Sequence, residues 1–164
     1  MPGPEDIEAA IRRLASKRLY IGIPQERDPR PGDPIGNASL GYIHELGSPA
    51  RNIPARPHLV PGVTAALPAI TQRLEEGARA ALAGDIAGVD RAFELAGMEG
   101  VNSVRLTIQA GIPPPLKPET VAARRVRSPG SRYRRRATTP ADVTPLIDTG
   151  AYLAAHTYVV RERR

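Results

Sequence analysis

Apolar residues recur at helical spacing in three long stretches of the chain. In residues 5–18, Ile7, Ile11 and Leu14 fall at i, i+4 and i+7, and acids open the stretch while bases close it, which suits a helix macrodipole. A second stripe, Leu67, Ile70, Leu74, Ala78 and Leu82, predicts a helix over about 59–83, with Pro61 and Pro68 expected to break or bend its first half. The third, over about 86–110, puts Val89, Phe93, Val101, Val104 and Ile108 on one face, with Gly97 completing the row and Asp85 as N-cap. Shorter helices are predicted from a Ser39 cap through Leu40, Ile43 and Leu46 to Gly47, and over Lys117–Arg127 with Pro118 in the first turn. Asp148 is expected to cap a turn through Leu153.

Two runs have strand character: Leu19–Ile23, stopped by Pro24, and the closing His156–Arg161. Between them, 24–38 carries four prolines and two glycines and is expected to be loop. Pro49, Pro54 and Pro57 are expected to keep 48–57 out of regular structure. The expected fold class is therefore α+β, with several helices packed on a small, mainly antiparallel sheet and long Pro-rich loops. Residues 1–164 are taken as a single domain with a mobile basic loop at about 124–145.

Composition sharpens this picture. The chain has 164 residues, 18 Pro, 15 Gly and only 4% aromatic residues, so its core must come from Ala, Val, Ile and Leu. There is no Cys, which excludes disulfides, thiolate metal sites and cysteine nucleophiles. No run approaches the roughly 18 apolar residues of a membrane span, and MPGPEDIEAA lacks the pattern of a signal peptide, so a soluble, cytosolically made protein with no membrane partner is expected.

The net charge of +6 is local in origin. Arg124, Arg125, Arg127, Arg132, Arg134, Arg135 and Arg136 stand together without an acid, and the remaining 16 basic and 17 acidic residues leave the rest of the chain at −1. Such a cluster suits phosphate or an acidic partner, or is simply a solvated loop.

Candidate catalytic chemistry is sparse. His44-Glu45 begins like the HExxH of a zinc protease, but position 48 is Ser, and His58 and His156 stand apart in sequence. Each histidine is therefore read as an ordinary surface or packing residue, with no metal expected. There is no GxxxxGK[ST] loop, no GxGxxG after a strand and no carboxylate pair of the glycosidase kind. No enzyme activity and no cofactor are expected.

Apolar residues placed inside Pro-locked loops stand out instead: Ile53 and Pro54, His58 and Leu59, Leu116, and Leu146 and Ile147. Pre-ordered loops lose little entropy on docking, which favours a partner interface; the alternative is that they cross their own subunit's core.

Three segments in order carry a family resemblance: YIHELGSPARNIPARPHLVPGV (42–63), PPPLKPETVAARR (113–125) and TPLIDTGAYLAAHTYVV (144–160). The matching positions are Tyr42, His44, Glu45 and Gly47; Ile53, Pro54, Arg56, Pro57 and Leu59; Pro114, Pro115, Leu116, Pro118 and Thr120; and Pro145, Leu146, Asp148, Thr149 and Gly150. The chain resembles the tail-completion or neck proteins of tailed bacteriophages, the virion-morphogenesis family of Mu-like phages. His58 stands where that family usually has Phe.

The resemblance implies a structural virion protein that is assembled in the host cytoplasm and forms a ring, taken as hexameric, at the tail top. Its neighbours would be head-completion or connector proteins and tail terminator or tube proteins. Interface roles fall to Ile53, Pro54, Arg56, Pro57, His58, Leu59, Leu116, Leu146 and Asp148. The seven arginines would face either the DNA channel, touching packaged DNA without sequence preference, or an acidic neighbour. The alternative is a stand-alone nucleic-acid-binding protein acting through 124–136. Against it, Tyr133 is the one aromatic there, whereas single-strand binders use several stacking platforms.

Overall fold

The computed structural model describes residues 2–30, 32–126, 144–148 and 150–163. The fold is α+β: six helices among the described residues pack with a small antiparallel sheet. In chain order these are α1 (Pro4–Ser16), β1 (Lys17–Gly22), α2 (Asn37–Leu46), α3 (Leu59–Leu82), α4 (Ile86–Gln109), α5 (Pro118–Val126), α6 (Ala151–Ala155) and β2 (Thr157–Glu162).

The antiparallel pair α3 and α4 is the centre of the molecule. Asp85 caps α4 as its sequence predicts, its Oδ1 accepting from the Gly88 amide at 2.8 Å. The expected α4 face is also the observed one: Val89, Phe93, Gly97, Val101, Val104 and Ile108 are all buried. The α3 stripe is so only in part: Ile70 is buried and Leu74 packs on the core, but Leu67 and Leu82 are 49% and 65% exposed, while Gly62, Ala66, Gly77 and Ala81 are buried. Small residues let the two backbones approach closely: a Cβ on Gly62 would lie 2.7 Å from Val104 Cα. Helix α3 also runs unbroken through Pro68.

Helix α1 makes the same kind of exchange, with Ala10 fully buried and Ile11 43% exposed. The strands pair from Lys17↔Glu162 to Gly22↔Thr157 and lie against α4, where Tyr158 covers Gly97 and Ile21 covers Gly100. Arg13 at 3.0 Å and Lys17 at 2.5 Å from Asp90 tie the α1–β1 junction to α4, and the hydrogen bonds from these two bases lower the Asp90 pKa to about 2.

The N-terminus of α2 is capped from a distance. The amide of Ala38 in the first turn of α2 donates to Asp28 Oδ1 at 2.7 Å, so the loop supplies the cap expected from Ser39. Residues 48–57, expected to be irregular, form a short 3₁₀ turn over Pro49–Arg51 closed by a bridge between Ser48 and Ile53. Gly150, in a left-handed conformation, holds the N-cap position of α6.

Candidate functional site

Helix α2 ends at Gly47, whose φ of 76° turns the chain sharply. Glu45, two residues earlier, reaches across to α3. Its Oε2 accepts from the amides of His58 (2.8 Å) and Leu59 (3.0 Å), and its Oε1 from Val60 (3.0 Å). These are donors that the first turn of a helix cannot satisfy itself, at the positive end of its dipole. Burial alone would raise the Glu45 pKa, but the three backbone donors outweigh it and hold the carboxyl below its ordinary value.

The three histidines, distant in sequence, converge on one tyrosine. Centroids of His44, His58 and His156 lie 5.5, 5.6 and 4.8 Å from that of Tyr152, all edge to face. His58 is fully enclosed, and the partners of its nitrogens fix its tautomer. Nδ1 faces two acceptors, Arg56 O at 2.9 Å and Glu45 Oε2 at 3.2 Å, so it carries the proton. Nε2 is then the acceptor for the Tyr152 hydroxyl at 2.6 Å. Burial, then the charge of Glu45, raises the Tyr152 pKa, so the phenol stays protonated and donates. Burial, followed by the neighbouring His58, lowers His44 and His156 to about 4, so both are neutral at pH 7. A phenol, imidazole and carboxylate thus stand in line, but the hydroxyl proton is committed to an enclosed imidazole. The arrangement ties α2, the Pro-rich loop, α3 and α6 together.

Two arginines complete the frame. Arg56, 7% exposed, donates through Nε and Nη2 to Pro114 O at 3.1 and 2.8 Å, binding the second resembling segment to the first. Arg124 on α5 donates through Nη1 to Ile147 O at 2.7 Å and Thr144 O at 3.3 Å, and its Nε lies 3.8 Å from Asp148. It binds the second segment to the third. Between these walls opens a cleft of about 830 Å³, lined by parts of all three segments and by the loop carrying Arg30 and Asp33.

The structure brings most expected interface residues to this cleft: Ile53, Pro54, Arg56, Leu116, Leu146 and Asp148 all line it. It also corrects their manner of exposure. Arg56 and His58 are buried in their own chain, and Leu146, 8% exposed, is core. These loops cross their own subunit's core before they offer anything to a partner, because a guanidinium and an imidazole here satisfy backbone groups that prolines and helix ends leave open. Leu59 and Leu116 are half-buried and Pro57 is exposed.

The guanidinium of Arg124, the first of the seven arginines, holds the backbone of its own chain and lines the cleft. Arg125 lies on α5. Arg127, Arg132, Arg134, Arg135 and Arg136 lie outside the described residues, as does most of the basic loop expected to be mobile.

The histidine cluster escapes a sequence search for ligand spacing. The signal that could have found it is that every histidine falls inside a resembling segment. Among the described residues, no group of three or more His, Cys, Asp or Glu is placed to hold a metal ion. Nor is any described helix long and apolar enough to cross a membrane. No family model, curated protein or solved structure matches the chain.

Proposed function

We propose that the protein is a structural subunit of a bacteriophage neck, forming a ring at the tail top that joins tail to head connector around the DNA channel. The observation that supports this most is the convergence of the three resembling segments, remote in sequence, on the walls of one cleft. Residues within those segments, Arg56 to Pro114 and Arg124 to Ile147 and Asp148, hold the walls to each other. A cleft framed by pre-ordered, Pro-rich backbone suits docking of a neighbouring subunit, and contacts around a cyclic axis need two different patches per subunit. Large apolar residues stand out on the helices around it: Tyr42 and Leu46 on α2 are 70% and 59% exposed, and Val60 on α3 is 64% exposed.

The test is to delete the gene from the phage that encodes it and image the lysate. Filled heads and finished tails that fail to join are the expected result. Normal yields of infectious particles would overturn the reading.

A further inference from the structure

The cleft holds four basic side chains, Arg30, Arg56, Lys117 and Arg124, against two carboxylates, Asp33 and Asp148. The carboxylates are already placed: Arg30 pairs with Asp33 at 2.8 Å, and Arg124 lies beside Asp148. The uncompensated charges are therefore Arg56 and Lys117, neither of which has a carboxylate within ion-pair distance among the described residues. Arg56 is the unusual one. A buried cation without a counter-ion is costly, and burial followed by the nearby Arg124 lowers its pKa from the ordinary value, although an arginine stays charged.

The Arg56 fork is also half used. Nε and Nη2 hold prolyl carbonyls, while Nη1 has no hydrogen-bond partner among the described residues and keeps some access to solvent. Two more atoms of the same lining residues, Asn37 Oδ1 and His44 Nδ1, are buried without partners. Among the described residues, the polar demand of this wall is not met. Leu40, Ile53 and Leu116 give the same cleft apolar walls, and its volume is in the range that takes a few residues of extended chain.

From this geometry we infer that the cleft receives a short acidic peptide segment of a neighbouring protein, its Asp or Glu carboxylate seated on Arg56 Nη1 and Lys117. This rests on the docking role proposed for the cleft and names what docks; it does not need the ring. Two carboxylates in the lining disfavour a polyphosphate backbone.

The test uses the full chain and a fluorescein-labelled pool of blocked hexapeptides with Asp-Glu fixed at the centre, read by anisotropy. A matching Asn-Gln pool, sodium acetate and a 20-nucleotide single strand serve as competitors. Saturable binding of the acidic pool is expected, with the amide pool roughly tenfold weaker or more. Lys117→Glu, at an exposed position, should weaken the acidic pool by a similar factor, whereas Arg79→Glu, away from the cleft, should not. Arg56→Lys keeps the charge without the fork and should also weaken binding while the chain still folds. Equal binding of both pools, or none up to about 5 mM, overturns the inference. So does displacement by acetate at equal concentration, which would mean a small-acid site, or tighter competition by the oligonucleotide. Peptide binding by a monomer would leave this inference standing while the ring failed.

Discussion

Burial holds His44 and His156, the latter only 1% exposed, as uncharged imidazoles at pH 7. His156 accepts no compensation from a carboxylate; its Nδ1 meets Tyr152 O at 3.0 Å. Because burial lowers His44 and His156 to about 4, the folded chain binds fewer protons than the unfolded chain between that value and about 6.5. Stability therefore rises with pH through this window and is lost as pH falls through it. By pH 5, His156 alone should have removed about 2 kcal/mol relative to pH 7, and His156→Gln should flatten the curve. Urea midpoints measured from pH 7 to 4 check this; a flat profile would show that the imidazoles charge freely. Glu45 works in a lower window. Its pKa is depressed, so its contribution is present above the ordinary carboxyl value and lost as pH falls through the folded one. Arg56→Ala should cost about 2–3 kcal/mol, since it leaves the Pro114 carbonyl without its donors. The docking role first expected for Arg56 predicts no such loss, so the same unfolding measurement separates a purely external contact from the fold role seen here.

The elements show where sequence was sufficient. Helix α4 was legible because large residues mark both halves of its buried face at helical spacing, Gly97 bridging the gap, and its cap is local. Helix α3 was legible in extent but only partly in orientation, since Ile70 and Leu74 of its stripe face the core and Leu67 and Leu82 do not. Leucine dominates any hydrophobic stripe, yet the face that meets α4 is Gly62, Ala66, Ile70, Gly77 and Ala81, chosen for closeness and not for apolar area. Gly62→Ala should therefore cost about 1–3 kcal/mol by pushing α3 off Val104, whereas Leu67→Ala, on the exposed face, should cost far less. Chemical denaturation of the two variants decides between the faces. The caps of α2 and α3 were illegible for a different reason: Asp28 and Glu45 act across ten and more residues, and no local pattern marks them. Glu45→Ala should destabilise by about 2–3 kcal/mol through three freed amides, measured at pH 7, where Glu45 is ionised. The candidate site was legible as three segments and not as one place. Only the chain's path brings Arg56 to Pro114 and Tyr152 to His58.

At the scale of the molecule, two charged features bear on the proposed role. The described cleft has Arg56 and Lys117 as its unmatched cations, while most of the arginine cluster belongs to the stretch between α5 and residue 144. Changing Arg132, Arg134, Arg135 and Arg136 to Ser should lower DNA affinity or docking to the neighbouring neck protein, with little change in Tm. Any DNA binding should weaken steeply with salt and show no sequence preference. Unfolding of that variant would instead make the four arginines structural partners. The central claim, that this subunit works in a ring, is most directly tested by light scattering of the purified full chain over a range of concentrations. The account predicts a closed oligomer, taken as six copies of the 17.6 kDa chain, populated more fully as concentration rises. A 17.6 kDa monomer at every concentration, binding DNA at nanomolar levels, would contradict it.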